Sequence, residues 1–339
     1  MALTAKLAPE FQAHSSRDRS DLSYDRMPAQ KNARFWLGGS MPPNQLTTQL
    51  CIKFTSVILL ALTLWIAFAA SASAAGASAA TTGRYINLPG VKLWYLDTGQ
   101  GTPVVFIHAN TGTSTSWKKQ IDAFSSAGYR VITFDRRGWG KSIADKSSGA
   151  QPGSVAGDLD ALATLLNLPP FHLIGVAAGG FATLDYASWR PNRLRSIVIA
   201  ASNGHFISES AMKQLRIEIA VPSFESLSPE DREIGVSYRT AHPDGVKEWS
   251  EIERSAHLSG SPMQDLHSPN TFAKMEAINV PALVIAGDED LLAPPALMHL
   301  WASHLKQYEL ANIRGAGHSL PWERPEEFNE TVLTFLGKH

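Results

Sequence analysis

The chain has 339 residues, 44% hydrophobic and 18% charged, which suffices for one large domain with a substantial core. A formal net charge of −1 gives no electrostatic basis for nucleic-acid binding, so a small-molecule substrate is the expectation. The single cysteine, Cys51, excludes an internal disulfide and a cysteine-based metal site.

Residues 1–52 begin polar and without periodicity, and read as a disordered tail or a mis-assigned start, Met41 being a more ordinary beginning. Residues 53–80 read as a signal peptide or an anchor. Lys53 precedes the uncharged run 54–70 (FTSVILLALTLWIAFAA), followed by the small-x-small sites Ala72-Ser73-Ala74 and Ala77-Ser78-Ala79. The expectation is export to the periplasm or medium; the alternative is anchoring by 54–70, since a spanning helix needs about 20 apolar residues.

From 81 to 339 short β-branched runs alternate with helix-period segments, which predicts a mostly parallel sheet with helices on both faces. Strands are predicted at 91–95 (VKLWY), 103–108 (PVVFIH), 130–134 (RVITF), 171–175 (FHLIG), 195–200 (RSIVIA) and 281–286 (PALVIA). All but the first are the continuous apolar runs of strands covered on both faces. Val155, Leu159, Leu162 and Leu166 fall on one helical face, as do Leu297, Leu300, Trp301 and Leu305, and then Phe328, Val332, Phe335 and Leu336. Between them, 205–274 is rich in charge, Ser and Pro and predicts an inserted helical cap.

Three local patterns stand out. Phe106-Ile107-His108-Ala109-Asn110 follows a predicted strand; Asp135-Arg136-Arg137-Gly138-Trp139-Gly140-Lys141-Ser142 follows the next; Gly175-Val176-Ala177-Ala178-Gly179-Gly180 joins a strand to a helix. Later come Gly287-Asp288-Glu289-Asp290 and Gly315-Ala316-Gly317-His318-Ser319. In this order the patterns resemble the α/β-hydrolase superfamily, in particular its bacterial esterase, lactonase and C–C hydrolase branches. The resemblance implies an α/β fold of the predicted kind and a nucleophile elbow at 177, where the family's serine is replaced by Ala177. It implies an oxyanion hole from the N–H groups of Asn110 and Ala178, with Ala109 in place of the usual glycine. It implies His318 as general base, oriented by Asp290 or, two residues away, Asp288. The 135–142 turn is read as structural, its glycines serving a tight bend.

Alanine offers no lone pair, so an acyl-enzyme at 177 is excluded. Two readings follow: a cofactor-free enzyme in which His318 and Asp290 act as a general base on an ester, lactone or diketone, or a ligand-binding homologue without turnover. An engineered serine-to-alanine trap is a third. No metal or cofactor is expected, because His205, His242, His257 and His267 lack ligand spacing. Membrane contact is expected only through an uncleaved N-terminal segment. Phe224, Tyr238 and Trp249 could wall a pocket or pack on the core.

Overall fold

The computed structural model describes residues 82–339. The readings of 1–52 and 53–80, with Cys51 and the apolar run, lie outside the described residues. Among the described residues nine strands form one sheet: β1 (Arg84–Leu88), β2 (Val91–Thr98), β3 (Pro103–Ile107), β4 (Arg130–Phe134), β5 (Ile143–Ala144), β6 (Phe171–Val176), β7 (Leu194–Ala200), β8 (Ala282–Gly287) and β9 (Tyr308–Ile313). The order is β1-β2-β4-β3-β6-β7-β8-β9, with β5 beside β2. Pairings from β4 through β9 are parallel, whereas β1, β4 and β5 run antiparallel to β2.

The continuous apolar runs are explained by period-two alternation between two cores. In β3, Val105 and Ile107 point to one core while Val104 and Phe106 point to the other; in β8, Val284 opposes Leu283 and Ile285. The α-helices of the described residues are α1 (Lys118–Ser126), α2 (Val155–Leu165), α3 (Ala178–Trp189), α4 (Ser210–Glu218), α5 (Pro229–Glu233), α6 (Val236–Ala241), α7 (Pro243–Ala256), α8 (Phe272–Ala277), α9 (Pro295–Ala302), α10 (Leu320–Glu323) and α11 (Pro325–Leu336). Residues of α2, α3 and α9 fill the first core, and those of α1 and α11 the second. Each fully buried Leu, Ile or Phe contributes about 1.5–3 kcal/mol of transfer free energy.

Two of the predicted helical faces end early. Leu166 caps α2 instead of continuing it, and Leu305 reaches the core only after α9 has stopped, through a turn in which its N–H donates to Ala302. Helix α2 starts at Ser154, whose Oγ accepts from Gly157 N–H at 3.1 Å. The segment between β7 and β8 carries α4 to α8. There Ile234, Tyr238 and Trp249 form a separate apolar cluster with Trp322 of α10. Isolated bridges from Trp139 to His257 and from Ser154 to Asp265 tie this segment to the sheet domain.

Candidate functional site

The chain leaves β6 at Val176 and enters α3 at Ala178, so all of the turn falls on Ala177. Its φ of 53° and ψ of −117° are a conformation that L residues rarely adopt. Three hydrogen bonds impose it: Ala177 N–H donates to Ala200 at 3.0 Å, and its carbonyl accepts from Gly180 N–H at 3.0 Å and Ser202 Oγ at 2.7 Å. Glycine is required at 175 and 179 by close approach of backbones. A Cβ on Gly175 would stand 2.3 Å from the Gly179 carbonyl oxygen, and one on Gly179 only 2.2 Å from that of Ile107. Beta-strand, turn and helix are thus clamped together, and Ala178 opens α3 with an N–H that has no intrahelical acceptor.

The loop after β3 is organised by His108, which is 1% exposed. Its Nε2 accepts from Arg136 N–H at 2.9 Å and its Nδ1–H donates to the Ala109 carbonyl at 2.6 Å. Burial, with the nearby Arg136 charge, holds its pKa well below the ordinary value, so the ring is neutral. Ala109 is not at positive φ, so the loop keeps its course without glycine there. The carbonyl of Asn110 accepts from Trp139 Nε1 at 2.7 Å and its Oδ1 from Arg136 Nη2 at 2.7 Å; no described residue accepts from its N–H. In the turn after β4, Asp135 accepts from Ser114 N–H and Lys141 N–H, with Gly138 and Gly140 at positive φ. That is the structural role expected of it.

At the other side of the turn, His318 and Asp290 come together, 2.8 Å and 3.0 Å from ring Nδ1 to the two carboxylate oxygens. Asp290 is itself fixed by Leu292 N–H and Ala293 N–H, each 2.8 Å from Oδ1. Asp288 does something else: its Oδ1 accepts from Gly315 N–H at 2.6 Å, fastening the loop after β9 to the end of β8. With Nδ1–H donating to Asp290, Nε2 is the basic nitrogen, and no described residue hydrogen-bonds to it.

Two further carboxylates surround this ring, and neither is visible as a motif. Glu233, at the end of α5, accepts His318 N–H (2.7 Å) and Ser319 N–H (3.1 Å) on its backbone oxygen, while its side chain takes the Thr111 hydroxyl at 3.1 Å. Glu323, 3% exposed, accepts Gly235 N–H and Gly317 N–H on Oε2, both at 2.9 Å, and its Oε1 has no partner among the described residues. Burial raises both acids, Glu323 to about 7. Burial alone would lower His318, but Asp290, and then Glu233 and Glu323, overcome it and lift the ring to about 9.

Two cavities flank the turn. One of about 40 Å³ is lined by His318, Val176, Ala109, Thr111 and Trp249; a larger one of about 290 Å³ is lined by Asn110, Ala178, Arg136, Phe181, His205 and Gln264, among others. Neighbouring residues of the same two segments therefore border both: Ala109 and Val176 the smaller, Asn110 and Ala178 the larger. Of the residues singled out from the sequence, Trp249 borders the smaller cavity, Tyr238 is buried against it in the apolar cluster, and Phe224 lies elsewhere. The remaining histidines meet aromatic rings: His205 on Phe181 at 5.1 Å, His242 on Tyr238 at 4.8 Å, His257 on Trp139 at 4.5 Å and His267 on Trp189 at 4.0 Å. Among the described residues no group of three or more His, Cys, Asp or Glu side chains is gathered to hold a metal.

A family model described as "Alpha/beta hydrolase family" matches residues 104–331. The chain is 28% identical over 281 residues to a 2-hydroxy-6-oxononadienedioate/2-hydroxy-6-oxononatrienedioate hydrolase of Paraburkholderia phymatum, covering 76% of this chain and 97% of that one. Among solved structures it is similar to a thermophilic esterase from Thermogutta terrifontis, with malate bound, at 25% identity and a TM-score of 0.63 over 76% of this chain and 98% of the other. It is also similar to a bromoperoxidase from Bacillus anthracis, at 26% identity and a TM-score of 0.58 over 76% and 100%.

Proposed function

Because the chain belongs to the alpha/beta hydrolase family, we propose that it is a hydrolase of a small carbonyl compound, an ester, lactone or diketone, that works through His318 and Asp290 without a serine nucleophile. The observation that carries this reading is the ring of His318. Asp290 holds Nδ1, and the ring borders a cavity of about 40 Å³ shared with Val176, the neighbour of Ala177. A cavity needs about 10–15 Å³ to hold one water, so a hydrolytic water has room there.

In the proposed reaction Nε2 removes a proton from that water as its oxygen adds to the substrate carbonyl carbon. The resulting oxyanion accepts from the N–H groups of Ala178 and Asn110. Collapse restores the carbonyl and breaks the bond to the alkoxide or carbanion leaving group, which takes the proton back from the imidazolium. Asp290, an acceptor for the ring's N–H throughout, stabilises the cation. A ring titrating at about 9 is mostly protonated at neutral pH, so the rate is expected to climb with pH until about 9. The names of relatives, an esterase and a hydrolase of dienedioates, support the substrate class.

Purified protein assayed on p-nitrophenyl acetate, γ-butyrolactone and a vinylogous β-diketone tests the reading, alongside His318→Ala and Ala177→Ser. Turnover by the natural chain on at least one of them, lost in His318→Ala, is the expected result. No turnover in the natural chain, with ligand-induced thermal stabilisation alone, favours a binding protein instead. Strong esterase activity that arises only in Ala177→Ser favours a disabled serine enzyme. The protein is also read as exported, from the basic, apolar and small-x-small succession at 53–79. N-terminal sequencing of the protein from the cell exterior should find residue 75 or 80 first; an intact N-terminus in the membrane fraction would overturn export in favour of an anchor.

A further inference from the structure

Successive arginines in the turn after β4 meet opposite fates. Arg137 and Arg136 are each 4% exposed. Arg137 is neutralised: Nη2 and Nε contact the two oxygens of Asp158 at 2.6 Å and 3.2 Å. Arg136 has no such partner. Its guanidinium lies 4.1 Å over the Trp139 ring, and Nη2 donates to Asn110 Oδ1 at 2.7 Å and to the Ala109 carbonyl at 3.3 Å. Its Nε is buried without an acceptor, and no carboxylate among the described residues forms an ion pair with it. A buried cation with no counter-charge is costly, and burial alone pulls this guanidinium down to about 9. The neighbouring pair shows that this fold can supply a carboxylate where a guanidinium serves structure alone.

The surroundings point to what completes it. Arg136 lines the cavity of about 290 Å³, together with Ala178 at the N-terminus of α3 and the apolar face of Phe181. His205 on the same lining is held below its ordinary pKa by burial and by Arg216, which favours its neutral form and adds no second cation there. Asp265, the carboxylate on the lining, is exposed and forms no ion pair among the described residues. From the cap, Gln264 donates Nε2 to Asp158 at 2.8 Å and leaves Oε1 buried and unpartnered. Two residues of the cavity lining thus carry an unsatisfied polar atom, Arg136 with a buried Nε that has no acceptor and Gln264 with a buried Oε1 that has no donor among the described residues.

We propose that Arg136 is the anchor for a carboxylate carried by the substrate, so that the protein acts on small carbonyl compounds bearing a free acid group, bound in the larger cavity with the reacting carbonyl at the Asn110 and Ala178 N–H groups. The proposal rests on the hydrolase reading for its chemistry, but binding can be measured without turnover. A carboxylate would take the place of the missing counter-ion, pairing with the guanidinium by charge-assisted hydrogen bonds.

Calorimetric titration with two matched probes that carry no ester or lactone bond tests it: 5-oxohexanoate and its neutral amide, 5-oxohexanamide, the amide confirmed intact after each titration. The acid is expected to bind the natural protein about tenfold or more tighter than the amide. Arg136→Gln should erase that difference while leaving amide binding in place, and Arg136→Lys should restore part of it. His318→Ala should keep the discrimination even where turnover is lost, which separates failure of this proposal from failure of the catalytic reading. Equal binding of acid and amide by the natural protein, or binding of neither, overturns the proposal without recourse to any variant. Equal weakening of both probes in a folded Arg136→Gln variant also overturns it, leaving Arg136 only as a support for the loop at 109–110.

Discussion

Replacing Asp290 by asparagine removes the charge on which the state of His318 depends while keeping the shape of the side chain. The rise from the ordinary 6.5 to about 9 corresponds to roughly 3 kcal/mol in favour of the imidazolium of the folded protein. Because the folded pKa lies above the unfolded one, that stabilisation is fully present below pH 6.5 and is lost as pH rises through about 9. Asparagine can still accept from Leu292 and Ala293 N–H on Oδ1, so the loop should hold. Its amide N–H, however, faces ring Nδ1 and forces the proton onto Nε2, the wrong tautomer for a base. Nitrogen-resolved NMR of the imidazole should show the titration fall from about 9 toward or below 6.5. Urea unfolding across this range should lose most of its pH dependence, and turnover should fall by about 10³–10⁴-fold, as when an orienting carboxylate is neutralised elsewhere. A His318 that still titrates near 9 in the variant, or a natural protein equally stable at pH 6.5 and 9, would refute the reasoning.

Glu323→Gln imitates the protonated acid. Burial lifts the folded pKa from 4.5 to about 7, so this group contributes stability present below pH 4.5 and lost as pH rises through about 7; the variant should abolish that slope in urea melts. Gly179→Ala drives a Cβ to 2.2 Å from the Ile107 carbonyl oxygen, against backbone that cannot yield, and should cost about 1–3 kcal/mol or more, read as a lowered Tm. Arg137→Ala leaves Asp158 buried with only Gln264 to partner it, and a loss of about 3–5 kcal/mol is expected by chemical denaturation. An unchanged midpoint in that variant would mean the pair is as solvated as a surface bridge.

The central strands could be read from the sequence because each presents apolar side chains to both faces, which leaves an uninterrupted run such as PVVFI in β3. The edges could not. Strand β1 is exposed at most positions and β5 is two residues long, so neither leaves an apolar signature. Ala177 was locatable because the neighbouring glycines are forced by backbone contact. The choice between Asp288 and Asp290 was not, since two residues in one loop differ only in which N–H groups and which ring they meet after folding. Glu233 and Glu323 escaped for a related reason: one ends a short cap helix and the other precedes α11, and only the folded chain sets both beside His318. Arg136 sat in full view inside the turn motif, where a run of glycines and charges reads as structure; its distinction from Arg137 is the absence of a partner, which no local pattern encodes.

Ala177 occupies a backbone conformation that costs of order 1–3 kcal/mol for a residue with a Cβ, and it does so without offering a reactive atom. The strain is enforced from outside by Ala200, Gly180 and Ser202, so it belongs to the junction of β6, β7 and α3 more than to the side chain. What the junction does is place Ala178, the first residue of α3, on the lining of the Arg136 cavity with Asn110, while Val176 lines the cavity of His318. A turn that aims N–H groups needs no hydroxyl. A base on one side of the turn and a guanidinium without an ion-pair partner on the other fit the proposed substrate, its acid group held by Arg136 and its carbonyl set at the turn for a water delivered by His318.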